Sequence, residues 1–180
     1  VCYANSVIGA RTNREGGPSA LAAAIIGKTP LYGLHLDENR KANYLVNVLT
    51  DLKQESDFGV LGYLIGKELR SCVPMFRGIK NCSLDDLKAL GAALAAAGNI
   101  SMYHVEGITP EAKSAIVDKV EKVEADIGDI KRAYEELTTG SPDDVDLIAI
   151  GCPHASLSEI RKVAEMVEGK KVEENRKLWI

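Results

Sequence analysis

The sequence has little of what marks a nucleic-acid-binding or membrane protein. Its net charge is −4, with acidic and basic residues interspersed, and aromatic residues make up only 5% of the chain. This balance argues against a surface that binds nucleic acid nonspecifically. The sequence also shows no basic face of the kind that binds a membrane surface. The longest apolar stretch near the start, Ala20 to Ile26, is far too short to span a bilayer, and residues 1–19 do not have the charged-then-apolar pattern of a leader. We expect a cytoplasmic protein.

Cysteine is scarce as well. Cys2, Cys72, Cys82 and Cys152 contain no C-x-x-C pair and lack the density of a small secreted disulfide-bonded domain. A reducing compartment is therefore expected. The first three are interpreted as small, buried apolar residues. Cys152 differs because it directly follows a short apolar run.

The remaining composition is that of an ordinary globular protein. With 180 residues, 46% apolar and 27% charged, the chain is long enough to bury a real core. We expect one α/β domain over residues 1–180. The chain begins at Val1 and ends on an apolar run, Lys177 to Ile180. We therefore expect an internal piece of a longer protein.

Predicted strands alternate with helices of ten to fifteen residues, which indicates βαβ units and an α/β sandwich. The predicted strands are Leu31–Leu36, Ala42–Leu49, Cys72–Ile79, Ile100–Val105, Asp146–Ile150 and Lys177–Ile180. One predicted helix begins at Pro18, and the others cover Phe58–Leu69, Leu84–Ala97, Asp129–Leu137 and Leu157–Glu168. The glycines of Phe58–Leu69 favour close helix packing, Ser83 and Asp86 form a capping box, and Pro74 places its strand at a sheet edge or at a strand start. Thr109-Pro110 opens a short helix or turn, Asp37–Lys41 is predicted as a turn, and both helix and strand remain possible for Val117–Ala125.

The segment from Asn5 to Ser19 concentrates guanidinium, amide and hydroxyl groups just before a predicted helix. Arg11 and Arg14 need planar acidic partners to become buried, and a carboxylate or phosphate suits their geometry. Two glycines allow close backbone approach, and the helix start offers free N–H groups. The segment is predicted to bind an anion. The alternative is a polar surface loop whose arginines pair with nearby carboxylates, namely Glu15, Asp37 or Glu38.

A second candidate site is the turn Gly151-Cys152-Pro153-His154, between a predicted strand and a helix that Ser156 caps. Ligands gather at the carboxyl ends of parallel strands, so this position suits a binding site. Spacing leaves three roles open for Cys152: a nucleophile, a ligand of a metal or cluster, or no chemical role. His154 is too near in sequence to be an obvious base, and no further cysteine lies at short spacing.

The residues from Tyr3 to Leu21 closely resemble a signature of the aconitase X family. Tyr32–Arg40 and Asp146–His154 resemble two more blocks of the family's large subunit, in the same order. Three long blocks make the resemblance specific, and it covers essentially the whole chain. It implies an aconitase-like three-layer α/β/α fold with a mainly parallel sheet, and places the chain inside a larger catalytic subunit.

Members of that family are hydro-lyases with an iron–sulfur cluster held by three cysteines, and the resemblance implies that Cys152 is one of them. A [4Fe-4S] cluster is expected. The other two cysteines, a substrate-contacting Glu-Ser pair and a catalytic serine of a small subunit would lie outside this sequence. The implied reaction is loss of water from a β-hydroxy acid, with iron as the Lewis acid on the leaving hydroxyl.

The resemblance also implies which residues hold a small anionic hydroxy acid. The expected substrate-binding residues are Arg11, Asn13, Arg14 and Ser6. The arginines would neutralise its carboxylate or phosphate, and the asparagine would orient it. His154 is a possible catalytic residue near the cluster or the leaving hydroxyl. His35 and Asp37 are weaker candidates, for which a structural role is an equal alternative.

Two substrate classes occur within the family. Archaeal two-subunit members resemble phosphomevalonate dehydratases, which convert (R)-5-phosphomevalonate to trans-anhydromevalonate 5-phosphate for isoprenoid synthesis. Bacterial members include cis-3-hydroxy-L-proline dehydratases. The helices, rich in Lys and Glu, and the compact loops favour a heat-adapted archaeal source, and hence the first class. A non-enzymatic alternative is an isolated, inactive α/β domain that binds a partner subunit.

Overall fold

The computed structural model describes residues 1–116 and 119–180. These residues form two compact units, Val1–Ala133 (unit 1) and Tyr134–Ile180 (unit 2). The expectation of a single domain over residues 1–180 stays a prediction. Across the described ranges, no helix is both long and apolar enough to cross a membrane.

Unit 1 begins with short helical segments. A π-helical turn at Ala4–Ile8 is followed by helix α1 (Pro18–Ile26), which starts at the predicted proline. Two 3-10 helices, Gly33–His35 and Asp37–Arg40, come next. The latter replaces the predicted turn.

The predicted strand Leu31–Leu36 is wrong. The backbone N–H of Leu34 donates to Asn13 Oδ1 at 2.8 Å, and its carbonyl accepts from Arg40 Nη1 at 2.8 Å. Both groups that a ladder would use are therefore bound by side chains.

Four parallel strands form the sheet of unit 1, which confirms the mainly parallel α/β prediction. They are β1 (Tyr44–Val48), β2 (Pro74–Arg77), β3 (His104–Val105) and β4 (Glu121–Ala125), in the order β3-β2-β1-β4. As predicted, Pro74 stands at a strand start, where its missing N–H is tolerated. Strand β4 resolves part of the ambiguous segment, of which residues 117 and 118 lie outside the described residues.

Strand β3 is shorter than the predicted Ile100–Val105. Ser101 and Tyr103 precede it, and their backbone groups are bound by side chains rather than by a neighbouring strand. The Ser101 carbonyl accepts from Asn5 Nδ2 at 3.0 Å, and the Tyr103 N–H donates to Ser6 Oγ at 2.9 Å. The polar residues of the N-terminal turn therefore delay the start of β3 from the predicted Ile100 to His104.

Helices cover both faces of this sheet, giving the expected three layers. The crossovers are α2 (Glu55–Leu69), α3 (Leu84–Gly98) and α4 (Ala112–Ala115). Leu45 and Met75 cluster with the buried alanines of α4 on one face. Alternation places Phe76 on the other face, where its ring meets Tyr103, whose hydroxyl donates to the carbonyl of Leu87 in α3.

Glycines let α2 and α3 pack closely, as the sequence predicts. A Cβ on Gly62 of α2 would lie 2.5 Å from the carbonyl oxygen of Leu90. A Cβ on Gly98 would lie 2.3 Å from the carbonyl oxygen of Gly66. The predicted capping box of Ser83 and Asp86 is also confirmed at the start of α3.

Helix α5 (Ile127–Leu137) confirms the helix predicted over Asp129–Leu137, with two further residues at its start. Asp126 Oδ1 accepts from the backbone N–H groups of Gly128 and Asp129 at 2.7 and 2.9 Å. These side-chain bonds satisfy helical N–H groups that would otherwise lack partners.

Unit 2 contains a βαβ motif. Strands β5 (Leu147–Ala149) and β6 (Lys177–Trp179) are parallel, and helix α6 (Leu157–Val167) lies between them in the chain. Ser156 caps the start of α6, as predicted. The continuous apolar run Asp146–Ile150 predicts a strand that is covered on both faces. In the structure, all three residues of β5 are exposed. In the described part of unit 2 this sheet has only two strands and one helix, too little to cover it.

Arg40 is the most deeply buried charged residue among the described residues of unit 1, at 2% exposure. Its Nε and Nη2 donate to the two carboxylate oxygens of Glu111 at 2.8 and 2.6 Å. Nη2 also donates to the carbonyls of Ala10 and Asn5. Arg40 therefore joins the N-terminal loops to the residue that precedes α4. This contact lowers the pKa of the Glu111 carboxyl.

We expect Glu111→Gln to destabilise the protein by about 3 kcal/mol, because it leaves the buried guanidinium without its counter-charge. The matched control is Glu106→Gln, which breaks the exposed pair with Arg77 and should cost at most about 1 kcal/mol. Denaturant titration of both variants measures the difference. Equal losses would contradict the structural role of Arg40.

The same pair predicts a pH dependence. Because the folded-state pKa of Glu111 lies below its unfolded value, its stabilisation is present above the ordinary glutamate pKa. That stabilisation is lost as the pH falls through the lowered pKa. The difference in unfolding free energy between the native protein and Glu111→Gln should therefore shrink on acidification.

Candidate active-site residues

The loop between the π-helical turn and α1 is held by a buried asparagine. Asn5, which is fully buried, accepts a hydrogen bond from the Thr12 N–H at 3.0 Å and donates to the Thr12 carbonyl at 2.8 Å. A side-chain amide thus takes both backbone groups of one residue. The loop that carries Arg11 and Arg14 is therefore fixed at its centre.

Arg11 is paired with a carboxylate of the same chain. Its Nη2 forms an ion pair with Asp37, and its Nη1 donates to the carbonyl of His35 at 2.9 Å. This is one of the pairings that the sequence offers as the alternative to anion binding. Both side chains are largely exposed, so the pair contributes little to stability. The hollow beside Arg11 has a volume of about 340 Å³ and includes Asp37 and Glu111.

Arg14 has a different environment. Its Nη1 donates to Asn99 Oδ1 at 2.5 Å and to the Ala95 carbonyl at 3.4 Å, near the carboxyl end of α3. Both partners are neutral, so within the described residues the charge of Arg14 has no carboxylate in contact. The structure therefore separates two arginines that the sequence places three residues apart.

Asn13 connects the loop to the first 3-10 helix. Its Nδ2 donates to the Tyr32 carbonyl at 3.2 Å, and its Oδ1 accepts from Leu34. Gly33 lies between them with φ of 56°, and a Cβ there would come within 2.3 Å of Asn13 Oδ1. A side chain at this position would therefore be strained and would force Asn13 to move. Asn13 thus holds two loops together beside Arg14.

Ser6 and His35 take up interior positions. Ser6 is 1% exposed and its Oγ accepts from the Tyr103 N–H. His35 is half-buried, and its Nε2 has no hydrogen-bond partner among the described residues. The substrate-binding role of Ser6 and the weaker candidacies of His35 and Asp37 stay predictions.

Cys152 is the exposed member of the four cysteines. It follows strand β5, and α6 begins five residues later at Leu157. Burial raises the pKa of the Cys2 thiol to about 12 and that of Cys72 to about 11, and the pKa of half-buried Cys82 is also raised. Those three thiols stay protonated near neutral pH, which suits the non-catalytic interpretation of them.

A thiol at this position fits one corner of an iron–sulfur cluster. Cysteine thiolates are the usual protein ligands of such clusters, and an exposed thiol is accessible to iron. Among the described residues, no group of three or more His, Cys, Asp and Glu side chains could hold a metal. Cys152 could supply one ligand of a cluster. His154 is exposed in the same turn.

A cleft of about 520 Å³ lies at the amino ends of the strands of unit 1. Arg14 and Asn13 border it, so the structure brings these two predicted residues together. Lys41 and Lys119 also line it, and neither is found by the sequence reasoning. Both lysines lie just before or within segments that could be strands, and this position could have pointed to them. Among strand ends, only the carboxyl ends are expected from the sequence to be binding sites.

The chain is similar in sequence and structure to known proteins. Three family models match consecutive parts of the chain: "Aconitase X first domain" over residues 1–38, "Aconitase X second domain" over 42–135 and "Aconitase X third domain" over 145–180. A crystal structure of Thermococcus kodakaraensis aconitase X in its holo-form matches with a TM-score of 0.92 and 51% identity. That match covers 99% of this chain and 46% of the other.

Two curated relatives differ in their reactions. The phosphomevalonate dehydratase large subunit of Thermococcus kodakarensis is 54% identical over 93% of this chain and 43% of its own length. The cis-3-hydroxy-L-proline dehydratase of Pseudomonas aeruginosa is 37% identical over 95% of this chain and 31% of its own length. The chain thus spans less than half the length of either. Because the second-domain model alone covers more than half of the chain, the chain belongs to the aconitase X family.

Proposed function

We propose that the chain is part of the large subunit of a hydro-lyase that dehydrates (R)-5-phosphomevalonate to trans-anhydromevalonate 5-phosphate. The observation that carries this proposal is the 54% identity to a phosphomevalonate dehydratase large subunit over 93% of the chain. We propose a cytoplasmic enzyme of the mevalonate pathway that acts together with a small subunit.

Dehydration of cis-3-hydroxy-L-proline is the second candidate reaction. It is supported by the 37% identity to such an enzyme over 95% of the chain. That substrate is a small amino acid without a phosphate group. The two candidate reactions therefore differ in the anionic group that the protein must bind.

In the proposed enzyme, Cys152 is one of three cysteines that hold a [4Fe-4S] cluster. When bound, such a cluster supplies a Lewis acid for the leaving hydroxyl. Arg14 supplies positive charge to an anionic group of the substrate, since its own contacts are neutral. Asn13 fixes the loop that presents Arg14, and His154 lies exposed in the same turn as Cys152, where it is a possible catalytic residue.

Replacement of Cys152 by Ser in the full two-subunit enzyme should abolish iron loading and dehydration together, because a hydroxyl does not replace a thiolate ligand. Cys82→Ser is the matched control, since Cys82 is a half-buried thiol far along the chain from Cys152. Iron content and dehydration of 5-phosphomevalonate are measured for both variants. Full iron content and activity in Cys152→Ser would refute this role.

The two loop arginines should respond unequally to substitution by Gln. Arg14→Gln should raise KM for the substrate roughly tenfold with the cluster intact, because it removes a charge-assisted contact. Arg11→Gln should have a smaller effect, because Asp37 already compensates that charge. Steady-state kinetics and iron content test this. Unchanged kinetics in Arg14→Gln would leave the loop with a structural role only.

A further inference from the structure

The cleft at the amino ends of the strands of unit 1 is built by four neighbouring chain segments. Lys41 precedes β1, Ser71 precedes β2, Ser101 precedes β3 and Lys119 precedes β4. Strands β1 and β4 are parallel with Tyr44 opposite Glu121, so the two lysines enter the sheet at the same edge. The register therefore places the backbones of Lys41 and Lys119 at the same edge of the sheet, although the Lys41 ammonium lies at the Ser114 carbonyl, which lines the hollow beside Arg11.

The charge around this cleft is unbalanced. Arg14, Lys41 and Lys119 are its basic residues, and Glu38 is its acidic one. Across residues 1–116 and 119–180, the structure shows no carboxylate in contact with any of the three cations. Six other basic residues of unit 1 do have such contacts: Arg11 with Asp37, Arg40 with Glu111, Arg77 with Glu106, Lys80 with Asp51, Lys88 with Asp85 and Arg132 with Asp129.

The contacts of these cations leave donor groups for a ligand. Arg14 makes both of its hydrogen bonds through Nη1, and Lys41 Nζ donates to one carbonyl, that of Ser114, at 2.5 Å. A guanidinium has five N–H donors and an ammonium three. A second hollow of about 490 Å³ shares Arg14, Ser71 and Asn99 with the cleft and adds Arg70. Positive charge thus continues beyond the cleft itself.

Three cations that contact no carboxylate among the described residues, around one cleft, suit a dianion better than a single carboxylate. A phosphate monoester carries close to two negative charges at neutral pH and offers three acceptor oxygens. Arginine binds phosphate through paired N–H groups and lysine binds it as a point charge. In a chain of net charge −4, such a local excess of positive charge indicates a site for a doubly charged anion.

We infer that this cleft binds the phosphate group of the substrate, through Arg14, Lys41 and Lys119. The inference rests on the proposed function and deepens it, because it names the residues that select a phosphorylated substrate. Lys41 and Lys119 become determinants of specificity, since cis-3-hydroxy-L-proline has no phosphate for them to bind.

The test uses the full two-subunit enzyme with Lys41→Met and Lys119→Met, and Lys80→Met as the matched control. Lys80 is an exposed lysine beside Asp51, outside the cleft. Each cleft variant should raise KM for 5-phosphomevalonate roughly tenfold and weaken competitive inhibition by inorganic phosphate to a similar degree. kcat and thermal stability should stay within about twofold and a few degrees of the native enzyme, and Lys80→Met should match it.

Native values of KM and of phosphate inhibition in both cleft variants would overturn the inference while leaving the proposed function intact. If the native enzyme does not act on 5-phosphomevalonate at all, the proposed function fails and the cleft is tested by calorimetry with inorganic phosphate. Phosphate binding that is lost in Lys41→Met then supports the cleft. No phosphate binding by the native enzyme overturns it.

Discussion

The bidentate ion pair between Arg40 and Glu111 fixes how the N-terminal loops lie on the sheet of unit 1. A guanidinium that is 2% exposed must find an acceptor for each of its donors. It finds them in the Glu111 carboxylate and in loop carbonyls, including those of Leu34 and Ala10. The loop that presents Arg14 is therefore positioned by a buried charge rather than by an apolar core.

This arrangement gives similar residues different chemistry. Arg11 and Arg14 are three residues apart, yet Arg11 lies against the Asp37 carboxylate and Arg14 lies against a carbonyl and an amide oxygen at the carboxyl end of α3. Burial also distinguishes the cysteines, because Cys2 and Cys72 are enclosed in unit 1 while Cys152 is exposed. Availability for a ligand is thus decided by local partners and burial, and not by residue type.

Much of the fold follows from local sequence signals. The capping box at Ser83, the proline at the start of β2 and the glycines between α2 and α3 all have the structural roles predicted for them. The sequence could not reveal contacts between distant residues. Arg40 reads as a turn residue because its partner Glu111 lies 71 positions away. The apolar run at Leu34 reads as a strand for the same reason, since side chains from elsewhere take its backbone groups.

The most direct test is an anaerobic assay of the full large subunit together with its small subunit, after reconstitution with iron and sulfide. Both candidate substrates are supplied to this enzyme. We expect formation of trans-anhydromevalonate 5-phosphate from (R)-5-phosphomevalonate and little or no turnover of cis-3-hydroxy-L-proline. Dehydration of the hydroxyproline with no reaction of the phosphorylated substrate would contradict it.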